Sequence, residues 1–283
     1  MSGVRAVSPS NSPVDASAFQ RPVAPSPVRR LLVSKIPLYI ASACLGFGIW
    51  EIAALAGVGN GLLPGPAPVV REGWDLLSNG FLERQILASL QRVAIGFALG
   101  VVIAIPTGFV MGWYHWASGL IEPWVQFFRT IPPLALIPLV IVFLGIGQSA
   151  KILLIFMAAY LATVIAVFQG VRNVDRTLIN AARVLGAGDG VIFLRVVVPS
   201  SVPYLFVGMR IALGNAWATL VAAELIAATT GLGHMMQTAS TYFQIPTVIV
   251  GVISIGVLGF AMDRAIMMLD RRLTRWQDTQ AAA

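Results

Sequence analysis

The chain has very little of the chemistry that enzymes and disulfide-rich proteins use. Cys44 is its one cysteine, so no internal disulfide framework can form. His115 and His234 are its two histidines, and neither belongs to a cluster with the spacing of a metal site. The apolar segments contain no serine–histidine, metal-binding or paired-aspartate arrangement. We therefore expect no catalytic residue and no metal ligand.

Lysine is also scarce, and this bears on nucleotide binding. Lys35 follows Ser34 and Lys151 follows Ala150, so the chain contains no Gly-Lys pair. A P-loop needs that pair, because its glycine-rich backbone and its lysine together hold the phosphates. The sequence therefore predicts that this chain itself binds no ATP and no other cofactor.

Charge is low throughout. Charged residues make up 11% of the chain and hydrophobic residues 57%, with a mean hydropathy of +0.82. Soluble domains usually carry about 25% charged residues, so the composition indicates an integral membrane protein. The net charge of +7 does not indicate nucleic-acid binding, because the arginines lie in short segments beside apolar spans.

Six apolar segments are long enough to cross a bilayer, which takes about 20 residues per helix. They are residues 36–56, 90–113, 121–145, 151–169, 205–228 and 247–268. We therefore expect an all-α polytopic membrane protein with a transmembrane domain over residues 31–276. Residues 1–30 lack an apolar period and are rich in Ser, Pro, Val and Ala, which is typical of a disordered tail. Residues 277–283 are expected to form a C-terminal tail.

Basic residues set the expected orientation. They concentrate in the N-terminal tail, in the loop between spans four and five, and in the C-terminal tail; they are Arg29, Arg30, Lys35, Arg172, Arg176, Arg183, Arg195, Arg271, Arg272 and Arg275. A six-span topology places these three segments on one side, which the positive-inside rule makes cytoplasmic. Both termini are thus expected in the cytoplasm, and the loop 229–246, which has no Lys or Arg, is expected outside.

The second span carries small residues at helical spacing. Gly96 and Gly100 form one small-xxx-small pair, and Gly108 and Gly112 form another. Such pairs let helix backbones approach closely. Ordinary packing against a neighbouring helix is the expected role.

The third span contains Arg129, Thr130, Pro132 and Pro133. A proline pair frees backbone carbonyls that lipid cannot satisfy, so this span should face protein or a water-filled cavity. Beside that break, Arg129 lines the route of an anion, caps the freed carbonyls, or pairs with a carboxylate such as Glu122 or Glu224.

The fifth span adds three candidates for the same route, namely Asn215, Trp217 and Glu224. Charges within a span are costly, and they mark either a pathway or a structural ion pair. Both interpretations remain open for Glu224.

Residues 175–199 form a polar, arginine-bearing insert between the fourth and fifth spans. Asp175 is positioned as an N-cap. One apolar face of the helix after it is formed by Leu178, Ala181, Ala182 and Leu185. Residues 186–190 should break this helix. Residues 191–198 are expected to form a second short helix that Pro199 ends.

The spacing of this insert resembles the EAA loop of permease subunits from ABC importers. In that family Glu-Ala-Ala is followed by three residues, Gly, nine residues and Ile-x-Leu-Pro. The matching residues here are Ala181, Ala182, Gly186, Val196, Val198 and Pro199. Asn180 stands where the family usually has Glu, and Asp189-Gly190 is a second departure. Residues 126–151 and 208–224 further resemble the nitrate/sulfonate/taurine/bicarbonate branch of these permeases, and the likeness covers about 36–276.

The resemblance implies a set of partners. It implies a separate dimer of ABC ATPase subunits that binds ATP and Mg, a solute-binding protein, and a second permease copy, as in a homodimer. The docking residues it implies are Asn180, Ala181, Ala182, Gly186, Gly188, Asp189 and Pro199. The expected activity is translocation of a small anion, such as a sulfonate, taurine, nitrate or bicarbonate, across a bacterial inner membrane by alternating access.

A secondary transporter or channel without an ATPase is the alternative class. It predicts inverted repeats, and no clear repeat is present. It also leaves the insert at 175–199 without a role.

Overall fold

The computed structural model describes residues 35–59 and 61–274, and these are helices joined by turns and short loops. The helices are α1 (Lys35–Leu55), α2 (Pro66–Ser78), α3 (Phe81–Trp113), α4 (His115–Thr130), α5 (Ile137–Leu144), α6 (Gln148–Arg172), α7 (Arg176–Val184), α8 (Asp189–Ile192), α9 (Val198–Ala227), α10 (Leu232–Thr241) and α11 (Ile245–Leu273). The all-α expectation is confirmed. The tails expected at 1–30 and 277–283 lie outside the described residues.

Helix α1 belongs to a first unit that ends at Ala56, and the remaining helices belong to a second. Large apolar side chains cover every side of α1 and are exposed, among them Tyr39, Leu45 and Ile52. A helix that is apolar all round is suited to lipid rather than to water. The first predicted span, 36–56, is therefore confirmed.

In the second unit, the glycines of α3 pack directly on α6. The contacts are Gly96 with Ile155, Gly100 with Ala159, Gly108 with Val167 and Gly112 with Val171. A Cβ added at Gly100 would lie 2.8 Å from the Cβ of Ala159, so the backbones meet as closely as the small-residue spacing predicts. The contacts advance in the same direction along both helices, so α3 and α6 run parallel.

Two parallel spans require a return crossing between them, and α4 and α5 make it. The segments His115–Thr130 and Pro133–Leu144 meet at 87°. The third predicted span, 121–145, is thus a crossing that bends sharply at the proline pair, where the sequence analysis placed a break. Pro132 and Pro133 supply no backbone N–H, and Ile131 is extended (φ −85°, ψ 115°) as the residue before a proline prefers.

The number of spans agrees with the prediction. Within residues 35–59 and 61–274, five segments are long and apolar enough to cross a membrane, and the bent pair, counted as one span, makes a sixth. The five spans after the first all begin before their predicted limits, at Phe81, His115, Gln148, Val198 and Ile245. Buried residues of α3, α6 and α9, including Phe97, Ile155 and Leu220, form a common core.

Two short helices were missed in the segments expected outside the membrane. Helix α2 begins with Pro66 in its first turn, where the missing N–H costs nothing. It buries Val69, and α10 buries Leu232 and Met235. Because short helices are held by tertiary packing rather than by length, their apolar contacts decide that they form.

Candidate functional site

A cavity of about 280 Å³ opens beside the break between α4 and α5. Its polar lining consists of Arg129, Asn215 and Thr219. The rest of the lining is apolar and consists of Ile131, Pro132, Pro133, Leu134, Ala158, Leu161, Ala162, Ile165 and Ala218. The structure therefore brings together Arg129, Pro132, Pro133 and Asn215, four residues that the sequence placed on one route.

Arg129 is the only charged residue of this lining. Within the described residues it makes no salt bridge and no side-chain hydrogen bond. The two carboxylates considered as its partners are engaged elsewhere: Glu122 accepts from the Ser118 hydroxyl at 2.9 Å, and Glu224 pairs with Arg92. The guanidinium is thus available to a ligand in the cavity.

Three other residues predicted for the route lie outside this lining. The Thr130 hydroxyl donates to the Phe127 carbonyl at 2.7 Å. Trp217 is packed in the common core, where its indole N–H has no partner among the described residues. Glu224 is fully buried. The structure therefore does not bring these three to the cavity beside Arg129.

Glu224 belongs to a buried ionic cluster that the sequence analysis missed. Arg92 Nη1 of α3 donates to Glu224 Oε1 of α9, and both side chains are buried. Ser89 also donates to this carboxylate, at 2.9 Å, and Arg92 Nε donates to Gln148 Oε1 at 2.6 Å. The signal for this cluster was Arg92 itself, a charge within the predicted second span.

The cluster also holds the loop that joins α9 to α10. Arg92 donates to the Thr230 carbonyl at 2.7 Å and to its hydroxyl at 2.8 Å. The backbone N–H of Gly233 donates to Glu224 at 2.9 Å, and that of Leu232 donates to Ser89 at 2.8 Å. The cluster therefore fixes this loop to α3 and α9.

A second ion pair joins α9 to α11. Arg210 Nε and Nη2 donate to the two carboxylate oxygens of Asp263 at 2.7 and 3.2 Å. A two-point contact of this kind suits the planar guanidinium. Arg210 is therefore tied to the neighbouring span rather than to the cavity.

At the opposite end of α9 from that loop, the predicted insert forms α7 and α8. Asp175 Oδ1 accepts from the Thr177 N–H at 2.8 Å, so the predicted N-cap is confirmed. This hydrogen bond holds the pKa of the Asp175 carboxyl below its usual value. Helix α7 ends at Val184, and Gly186 turns the chain with φ +81°, a conformation that favours glycine.

The expected end at Pro199 was wrong. Helix α8 passes through a π-helical turn at Phe193–Val197 into α9, and the helical path continues to Ala227. Pro199 lies in the first turn of α9, where its lack of an N–H is tolerated.

The apolar face of α7 differs from the prediction. Ile179 and Ala182 pack inward with Ala187 on a cluster that contains Phe109 and Val174. Three large apolar side chains remain exposed, namely Leu178, Val184 and Leu185. Asn180, Ala181, Gly188 and Asp189 are exposed as well. We call the exposed residues of the segment 176–192, which comprises α7, the turn at Gly186 and α8, the knob.

The family model for the binding-protein-dependent transport system inner membrane component matches residues 96–275. A probable ABC transporter permease protein of Brucella abortus (strain 2308) is 58% identical over 85% of this chain and 96% of its own length. The taurine transport system permease protein of Escherichia coli (strain K12) is 35% identical, over 80% of this chain and 84% of its own. The bicarbonate transport system permease protein of Synechococcus elongatus is 34% identical, over 82% and 87%.

A solved structure shares the fold. The inward-facing MetNI methionine ABC transporter contains a chain that superposes with a TM-score of 0.59 at 20% identity, covering 68% of this chain and 96% of that one. The six-span architecture, the matched family model and these relatives agree, and the protein belongs to the family of binding-protein-dependent transport system inner membrane components, the permeases of ABC transporters.

Proposed function

We propose that this permease moves a small anion by alternating access in an ATP-driven importer. The observation that carries the proposal is Arg129, a cation without a protein partner among the described residues, at the wall of a cavity between spans. The Arg129 side chain is exposed in the last turn of α4, beside the proline break, where an anionic solute in the cavity can pair with it.

The other residues that line the cavity indicate which kind of anion would fit it. Asn215 and Thr219 add hydrogen-bonding groups, while Leu134, Leu161 and Ile165 form an apolar wall. This combination fits an anionic head on a short aliphatic body, such as an alkanesulfonate. Relatives named for taurine, aliphatic sulfonate and bicarbonate transport are consistent with an anion.

The test compares Arg129→Lys with Arg129→Gln in the assembled transporter. If Arg129 guides an anion, the lysine variant keeps partial uptake, and the glutamine variant loses at least about 10-fold, the value of a charged hydrogen bond. Assembly should be normal in both. Near-normal uptake in both variants removes Arg129 from the route. Loss of assembly in both assigns it a structural role.

For energy coupling, we propose that the knob docks on a separate ATPase dimer that binds ATP and Mg. Val184 and Leu185 are 88% and 87% exposed, which is costly in water and suits an interface. Asn180 and Ala181 are exposed before the turn at Gly186, and Gly188 and Asp189 are exposed after it, which supports this docking surface. Pro199, in the first turn of α9, is the last residue of the proposed coupling segment.

Leu185→Asp tests this docking without touching the core, because the side chain it replaces is exposed. The ATPase should no longer co-purify, and Leu178→Asp, two turns earlier within α7, should weaken the contact similarly. Thr274→Asp at the end of α11 serves as a charge control. Retained ATPase and ATP-driven uptake in the Leu185 variant would overturn the docking assignment. Uptake without any ATPase would favour a secondary transporter.

The same proposal includes an orientation of the chain in the membrane and a set of partner subunits. The knob and both termini face the cytoplasm of a bacterial cell, a second copy of this chain completes the permease pair, and a solute-binding protein docks outside. Reporters fused after Ala283 and near Ser240 test the topology: the first should be active only as a cytoplasmic reporter, the second only as a periplasmic one. The reverse pattern would overturn it.

A further inference from the structure

A second cavity, of about 440 Å³, lies at the end of the second unit opposite the knob. Four helices and the loops beside α10 contribute to it. Seven of its eleven lining side chains are polar, in a chain that is 57% hydrophobic, and they include Glu72, Gln85, His234, Thr238, Gln244 and Thr247. The cavity has no residue in common with the one beside Arg129.

Its polar side chains retain unused hydrogen-bonding capacity. Glu72 Oε1 accepts from the Thr247 hydroxyl at 2.7 Å, and its second oxygen has no partner among the described residues. Gln85 is 8% exposed and uses its carbonyl oxygen to accept from the Gly231 N–H at 2.7 Å. The Thr238 hydroxyl makes no hydrogen bond within the described chain and lies at the wall.

The charge of this lining is opposite to that of the first cavity. Glu72 is its only acidic residue, and no Lys or Arg lines it. Within the described residues Glu72 forms no salt bridge. A half-buried carboxylate with a free oxygen, surrounded by hydroxyl and amide oxygens, favours a cation that also donates hydrogen bonds.

We propose that this cavity binds an ammonium group, carried either by a small aliphatic solute or by a lysine of a docked protein. An ammonium group has three donors and no acceptor. Glu72 supplies the opposite charge, while the Thr238 hydroxyl and the Gln244 amide oxygen supply neutral acceptors. The volume exceeds that needed by a bare metal ion and falls within the range of small-molecule sites, about 300–1,000 Å³.

The experiment measures the charge preference of the cavity with matched thiol reagents. Cys44→Ala removes the native thiol, and Thr238→Cys then places one at the wall. The reagents are the trimethylammonium-ethyl and sulfonato-ethyl methanethiosulfonates, each normalised to its rate with a free thiol. Thr241→Cys, one turn along α10 and outside the lining, is the control.

At Thr238→Cys the cationic reagent should react faster than the anionic one by about 10-fold, as expected for a cleft of one charge sign. Glu72→Gln should abolish this preference, and Glu72→Asp should keep it. Thr241→Cys should show a smaller preference. Equal normalised rates at Thr238→Cys, or a preference that survives Glu72→Gln, would overturn the proposal.

A protection assay then separates the two sources of the ammonium group. Taurine and ethanesulfonate differ by that group alone, so protection of Thr238→Cys by millimolar taurine but not by ethanesulfonate assigns a free solute. Protection only by the purified solute-binding protein, lost when its lysines are acetylated, assigns a side chain. Absence of protection by either contradicts the site. The result does not depend on Arg129, so failure of the anion route leaves this proposal standing.

Discussion

Arg92 of α3 and Glu224 of α9 form a buried ion pair, with 3% and 0% of their side chains exposed. Lys151 of α6 is also buried, and it forms no salt bridge within the described residues. The pair is satisfied by further hydrogen bonds from Ser89 and to Thr230. Breaking it leaves a charge without its counter-charge, which is more damaging than replacing both partners.

Replacement of one partner of this pair should destabilise the protein strongly. We expect Glu224→Gln and Arg92→Gln each to cost about 3–5 kcal/mol, the range for a broken buried pair. Arg92→Lys should not restore stability, because lysine cannot reach Glu224, Gln148 and Thr230 together. Thermal unfolding of the detergent-solubilised protein measures this. Gln91→Ala, an exposed neighbour on the same helix, should change little; an equally small effect of Glu224→Gln would contradict the prediction.

A methyl group in the contact between α3 and α6 should separate the two helices. A Cβ at Gly100 would lie 2.8 Å from Ala159 Cβ and 2.9 Å from the Phe156 carbonyl. We expect Gly100→Ala to cost about 1–3 kcal/mol, as overpacking usually does. Gly119→Ala in α4 meets nothing within 4 Å and serves as the control. Equal unfolding temperatures of the two variants would contradict the close contact between α3 and α6 at Gly100.

The turn inside the knob should require glycine at one of two neighbouring positions. Gly186 has φ +81°, and Gly188 has φ −73°. Gly186→Ala should therefore strain the turn by about 1–2 kcal/mol. Gly188→Ala meets no such barrier, and neither methyl group meets an atom within 4 Å. Amide hydrogen exchange across residues 183–190 should speed up in the first variant only.

The N-cap of α7 should make this helix sensitive to acid. The hydrogen bond from Thr177 lowers the folded-state pKa of Asp175, so the cap adds stability above the unfolded pKa and loses it as pH falls through the folded value. Amide exchange of Thr177, corrected for the intrinsic effect of pH, should thus accelerate in acid. In Asp175→Asn the cap remains but does not titrate, so the acid-dependent step should disappear.

The spans were predictable because a long apolar run is itself the sequence signal of a helix that crosses a membrane. The close approach of Gly100 to a neighbouring helix was predictable from its spacing, and so was a break at Pro132. The same proline pair predicted that Arg129 would lie beside a cavity. These features depend on local sequence alone.

The ion pair and the second cavity were not predictable in this way. Arg92 and Glu224 are far apart in sequence, and their meeting depends on how α3 and α9 face each other. Glu72 and Thr247 meet only because the short helix α2 packs against α11. The inward face of α7 follows from the position of Phe109 beneath it rather than from helical periodicity.

The continuous helical path from Asp189 to Ala227 has a mechanical consequence. Its 39 residues, at 1.5 Å each, extend about 58 Å, nearly twice the hydrocarbon thickness of a bilayer. The knob lies at one end of this helical path, and Glu224 lies near the other end. A tilt of about 10° about its midpoint would move each end by about 5 Å in opposite directions. Because Arg92 joins Glu224 to the Thr230 carbonyl, such a tilt would also displace the loop 228–233.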